Sequence, residues 1–209
     1  MPTPSTPTLK PRKTPIQARS TASVDAILQA TIQVLTSVGK ERLTTTRVAA
    51  RAGVSVGTLY QYFPNKSALL QAALRRHMDH VRSAIETVCA QQRSESLLDM
   101  GTALIFAYLE AKMQDVKASA ALYSVSSDID GAAIAKASSQ RARRAIVDLF
   151  TSAREPLTKD PEIIANAVVS ALNGFSRSLL ESKSPDLQLE SMRDELIVLV
   201  HAYLRTCIR

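Results

Sequence analysis

The chain has 209 residues, 45% of them apolar, with six glycines and no tryptophan, enough to bury a core as one large domain or as two smaller ones, and its composition favours helices over sheets. Its charge is uneven: eleven Lys and Arg stand against two Asp and Glu through Arg76, and fifteen against seventeen beyond it, within a net charge of +7. A basic first third on a near-neutral remainder points to a polyanion held by the N-terminal part, nucleic acid ahead of membrane, and excludes nothing smaller as a partner of the rest.

Met1 to Pro15 alternates Pro, Thr and Ser around Lys10, Arg12 and Lys13, a composition that cannot bury enough surface to fold alone. Residues 1–18 are therefore read as a disordered arm, either a solvated tail or a basic strand reaching into a minor groove. The segment lacks the apolar run of a secretory signal, and later apolar stretches are interrupted well short of the roughly 20 residues that span a bilayer. Cys89 and Cys207 are isolated thiols without metal-ligand spacing, expected to be reduced. Together these features predict a cytoplasmic protein with no membrane partner.

From Ser20, apolar residues Val24, Ile27, Leu28, Ile32, Leu35 and Val38 recur at helical spacing until Gly39. Thr44, Thr45 and Thr46 offer capping hydroxyls to a very short helix through Val48, Ala49 and Ala52, which stops at Gly53. Ser55 opens a second short helix through Thr58, Leu59, Tyr60 and Tyr62, ended by Pro64. A long helix follows from Asn65 or Lys66 to about Gln91, with Leu69, Leu70, Ala73, Leu74, Val81, Ile85 and Val88 on one side.

Further helices are predicted over roughly Glu95 to Lys112, Val116 to Val125, and from an Asp130 cap to about Arg154. Asp160 and Pro161 start another, striped by Ile163, Ile164, Ala167, Val168, Ala171, Leu172, Phe175 and Leu179. After Pro185 a last helix aligns Leu189, Met192, Leu196, Leu199, Val200 and Tyr203. The expectation is an all-α chain of about nine helices, divided into the arm, a DNA-binding domain at 19–65 and a helical effector-binding and dimerisation domain at 66–209.

Two short helices meeting at a tight turn allow one to enter a major groove while the other braces against the backbone. Arg47 to Tyr62 fits that demand, with Gly53 supplying the turn and Val54 and Leu59 packing the pair. Leu59 and Phe63 are assigned to the core. The run LTTTRVAARAGVSVGTLYQYFPNKSALL, Leu43 to Leu70, resembles the N-terminal module of the TetR family of transcriptional regulators. The likeness extends over roughly Ser20 to His77 and rests on a compound pattern: the threonine-rich lead-in, AGVS, GTLYQYF and the NK before a long helix.

The resemblance implies three DNA-binding helices, a linking fourth, and a last pair forming a dimeric four-helix interface. By position, Thr45 resembles a phosphate contact and Thr46 a base-facing residue, while Ser55, Val56 and Gly57 occupy the leading edge of the recognition helix. Val56 can meet thymine methyls and Gly57 lets backbone approach the groove. Thr58, Tyr60, Tyr62 and Lys66 resemble the family's backbone clamp, positioning rather than specifying. Arg47 adds charge beside them, as does Arg51, either as contacts or as a solvated basic face.

The expected dimer interface comprises Ile164, Val168, Ala171 and Phe175 with Leu196, Val200 and Tyr203, although the same stripes could pack within one monomer. For an unknown small-molecule effector, the candidate pocket residues by location and apolar character are Phe106, Tyr108, Met113, Tyr123 and Phe150, with plain core the favoured reading for each. Arg141, Arg143 and Arg144 could meet an anion or simply face solvent. His77 and His80 lie one turn apart without a third metal ligand nearby, so no metal and no cofactor is expected. The reading is a repressor that binds a palindromic double-stranded DNA operator as a homodimer, its two recognition helices about one DNA turn apart, and is released by its effector. Activation in place of repression, a ligand-binding dimer without DNA binding, and a helical enzyme are the rivals, the last without any recognisable catalytic motif.

Overall fold

A computed structural model describes residues 18–182 and 185–209; the N-terminal arm and its proposed groove contacts lie outside the described residues. Among these residues the chain forms nine α-helices: α1 Ala18–Arg42, α2 Thr45–Ala52, α3 Val56–Tyr62, α4 Lys66–Gln91, α5 Leu97–Met113, α6 Val116–Val125, α7 Gly131–Thr151, α8 Pro161–Glu181 and α9 Pro185–Arg205. One isolated antiparallel bridge joins Leu157 and Ile208, and no strand occurs among the described residues.

Local chemistry sets most of the ends. Thr44, Ser96 and Asp160 cap α2, α5 and α8 by accepting the backbone N–H of Arg47, Asp99 and Glu162 at 3.2, 3.1 and 2.8 Å, which satisfies donors a helix start otherwise leaves bare. Several ends differ from expectation, three of them instructively. At Gly39 (φ 75°, ψ 170°) α1 breaks, yet the chain resumes a turn that runs to Arg42. The fifth helix begins at Leu97, two residues past Glu95, because Ser96 takes the cap. Asp130 adopts φ 54°, and its backbone carbonyl, not its carboxylate, receives the first N–H groups of α7, from Ala133 and Ile134.

The chain divides into two compact units. The first comprises the described residues up to His77 together with Ala120–Ala135, and the second Met78–Ser119 with Lys136–Arg209. These units do not follow the division expected at residue 65. In the first, Ile27 and Leu35 from α1, Leu43, Val48 from α2, Leu59 from α3, Phe63 and Leu69 from α4 are almost wholly buried, each such side chain stabilising the unit by about 1.5–3 kcal/mol. Gln71 ties the later segment to this core, its amide donating to the Ile129 carbonyl at 2.8 Å, and Lys40 pairs with Asp128.

In the second unit, α5 packs against α8 and α9, burying Leu97, Met100, Leu104, Ile105, Ile164, Val168, Leu172, Leu196, Val200 and Leu204. Gly101 permits that approach: a Cβ there would lie 2.6 Å from Leu204 Cδ1. Helix α8 has the length and apolarity of a bilayer-crossing segment. Its apolar stripe, however, is covered by this core, as in the central helix of a water-facing bundle.

Candidate nucleic-acid interface and effector cavity

The turn between α2 and α3 is built by Gly53, whose left-handed backbone (φ 68°, ψ 28°) brings its own N–H within 3.3 Å of the Ala50 carbonyl and that of Val54 within 3.0 Å of Ala49. Such a closure satisfies the last carbonyls of α2 and favours glycine, since a side chain at positive φ is strained. Ser55 then caps α3 by accepting the Thr58 N–H at 2.9 Å, with the two hydroxyls 2.8 Å apart. Leu59 points inward and is fully buried; Val56, Gly57 and Tyr60 point outward. Neither α2 nor α3 carries an acidic residue in its first turn, so both positive helix ends remain open to an anion.

The predicted contact residues fall into two groups. Thr46, Arg47, Ser55, Val56, Gly57 and Tyr60 are exposed, and the Tyr60 hydroxyl lies 3.1 Å from Thr45 Oγ1, bringing two hydroxyls together at one point on the surface. Thr58, Tyr62 and Lys66 are part-buried and already engaged. The Tyr62 hydroxyl meets Ser20 Oγ at 3.1 Å, tying α3 to α1. The Lys66 ammonium donates to the Lys40 carbonyl at 2.6 Å, closing the end of α1. Arg51, a second basic residue of α2, donates to Gln33 Oε1 at 2.7 Å.

The second unit contains a cavity of about 60 Å³ between α4, α5, α7 and α8. By the same measure a single water needs roughly 10–15 Å³, so several waters or a small organic group fit. Val81, Ile85, Ala142, Ile146, Val169 and Leu172 supply apolar wall. Tyr108 adds a polar point, its hydroxyl donating to Asn173 Oδ1 at 3.0 Å and lying 3.2 Å from Ser176 Oγ; burial raises its pKa, an effect partly offset by Ser176. Three cations line the same space: Arg82, Lys112 and Arg143.

Of the five predicted pocket residues, Tyr108 alone lines this cavity. Phe150 and Met113 are buried core, and Phe106 is exposed with the Arg193 guanidinium 5.1 Å from its ring centre. Tyr123 belongs to the first unit. Neither cysteine is disulfide-bonded, and burial pushes the Cys89 thiol up to about 12, which keeps it protonated and poorly nucleophilic at neutral pH. Among the described residues no three His, Cys, Asp or Glu side chains gather as a metal site would require.

Residues 27–73 match the family described as bacterial regulatory proteins, tetR family, and residues 96–204, more than half of the chain, match the tetracyclin repressor-like C-terminal domain. The chain belongs to the TetR family. It is a TetR-family transcriptional regulator with repressors among its relatives. The HTH-type transcriptional repressor KstR of Rhodococcus jostii (strain RHA1) is 46% identical over 57 residues, 27% of each chain; the alignment thus spans little more than a quarter of that relative. Among solved structures, a regulator from Mesorhizobium loti MAFF303099 assigned to the TetR family superposes with a TM-score of 0.75 over 92% of this chain and 100% of that one, at 18% identity. The fatty acid degradation regulator FadR from Bacillus halodurans gives 0.69 over 85% and 94%, at 17% identity. At such identities the likeness shows a shared TetR fold.

Placed on this TetR fold, the expected interface residues Ile164, Val168, Leu196 and Val200 are buried in the chain's own second unit, so they cannot face a partner, and that part of the expectation is corrected. Ala171, Phe175 and Tyr203 keep partial exposure. The outward sides of α8 and α9 instead carry Ile163, Val198 and Leu199, all more than half exposed. Periodicity found the apolar stripe of each helix; most of it belongs to the core, while its members Ile163 and Leu199 face outward. Also missed were Lys112, Asn173 and Ser176 on or beside the cavity; the available signal was a polar residue interrupting an apolar stripe, as Ser176 does between Leu172 and Leu179.

Proposed function

We propose that this TetR-family regulator is a cytoplasmic repressor that acts by binding, not catalysis: a homodimer places one α3 from each subunit in successive major grooves of a palindromic operator, and a small-molecule effector in the second unit releases it. The observation that carries the reading is the exposed set Thr46, Arg47, Ser55, Val56, Gly57 and Tyr60 around two acid-free helix starts. Val56 and Gly57 lie where base edges would be read, by apolar contact and close backbone approach. Thr45, Tyr60 and Arg47 supply hydroxyls and a charge for phosphates. Tyr62 and Lys66 support this surface by bracing α3 and α4 against α1. A twofold partner is supported by the bare apolar side chains of Ile163, Val198 and Leu199, since isologous pairing of such faces matches a twofold operator.

Selection of purified protein against random duplex DNA should enrich a palindrome. The Arg47→Ala variant should bind that sequence more weakly, with a salt slope shallower by about one. A folded protein that enriches no sequence would sink the reading, as would an unchanged salt slope for the role of Arg47.

A further inference from the structure

The three cations around the second unit's cavity are not equivalent. Arg82 is paired twice on its own helix, with Asp79 at 3.2 Å and Glu86 at 2.5 Å. Arg143 reaches Glu162 at 3.2 Å. Lys112, near the end of α5, has no carboxylate partner among the described residues, although Glu110 and Asp115 are close in sequence. It lines the cavity together with the apolar side chains of Ile85, Ala142, Ile146 and Leu172. Burial lowers its pKa, and no neighbouring charge counters that effect. An ammonium held beside apolar walls without a counter-ion is costly, and a ligand that brings the missing charge recovers that cost on binding.

We propose that the effector is a small organic monoanion, an apolar body ending in a carboxylate, whose carboxylate pairs with Lys112 while its body lies against Ile85, Ile146 and Leu172. This rests on the effector-released regulator proposed above and assigns its ligand a chemical class. A doubly charged phosphate group fits less well, because Arg82 and Arg143 are already neutralised and one unpaired cation remains. The cavity volume limits the body to about a single ring or a short chain, unless the walls yield.

The test needs no DNA. Full-length protein is titrated by calorimetry with benzoate and octanoate, and in parallel with benzamide and octanamide, which keep shape but carry no charge. At least one acid should bind roughly ten- to a hundredfold more tightly than its amide, the range expected for a charge-assisted contact in a poorly solvated site. The Lys112→Met variant should lose that preference and Lys112→Arg should keep most of it, with circular dichroism confirming that both are folded. Equal affinity for acid and amide, an acid preference that survives Lys112→Met, or no binding by any probe overturns the proposal. If the methionine variant misfolds, equal affinity for acid and amide in the unaltered protein still overturns the proposal, and retention of the preference in Lys112→Arg together with its loss in a folded Lys112→Gln variant supports it. Because the measurement is made on free protein, failure here leaves the operator selection standing, and failure of that selection leaves this ratio interpretable.

Discussion

The two units put their polar groups to opposite uses. In the first, the hydroxyls of Thr46, Ser55 and Tyr60 and the Arg47 guanidinium stand on the surface of two helices of eight and seven residues, over a core closed by Leu59 and Phe63. In the second, Tyr108, Asn173 and Lys112 line a cavity, held by longer helices whose apolar stripes are mostly committed to packing. A surface site depends on a few caps and one buried leucine, and is fragile to changes beneath it. A cavity site depends on several helices at once.

The contrast is sharpest for the side chain under the surface site. Leu59→Ala removes the one fully buried residue of α3 and should cost about 2–5 kcal/mol. Hydrogen exchange should show lost protection through α1 to α3, together with loss of operator binding, while α5, α8 and α9 keep theirs. Protection lost equally in all helices would mean that the units do not unfold separately. The counterpart in the second unit is Gly101→Ala. A methyl there meets Leu204 Cδ1 at 2.6 Å and Val200 Cγ1 at 3.4 Å, so α5 and α9 should lose about 1–3 kcal/mol. The lower end applies if Leu204, the flexible partner, can swing aside. Exchange should accelerate in those helices and leave α2 and α3 unchanged.

The same contrast explains what could be read before any coordinates. Turn chemistry is local: Thr44, Gly53 and Ser55 each act on residues within four positions, so the short helices and their junction were legible from sequence. The cavity joins Arg82, Lys112, Arg143 and Asn173 across α4, α5, α7 and α8, and no spacing rule connects positions so far apart. The dimer stripe was misplaced for a related reason. A helix of a bundle has one strongly apolar side, and in α8 that side is Ile164, Val168 and Leu172, buried at home. Its outward side holds Ile163 among exposed polar and small residues, Asn166, Ser170 and Gly174, and a stripe that included both Ile163 and Ile164 could not tell the exposed one from the buried one.

A smaller effect separates stability from recognition within the first unit. Gly57 lies in the first turn of α3 with ordinary helical backbone, and a Cβ there would meet only Ser55 Oγ, at an unstrained 3.7 Å. Gly57→Ala should therefore leave the fold intact and add up to about 1 kcal/mol of stability through better helix propensity. In the proposed complex the same methyl would stand between backbone and base edges, and operator binding should fall on the order of tenfold, the effect of about 1.4 kcal/mol at a crowded contact. Melting by circular dichroism and operator titration on one preparation measure both. Weaker binding with unchanged or higher stability places α3's leading edge against DNA, because nothing inside the protein occupies that space. Unchanged binding would move the groove contact away from Gly57 and leave Val56 and Thr46 to carry the base reading.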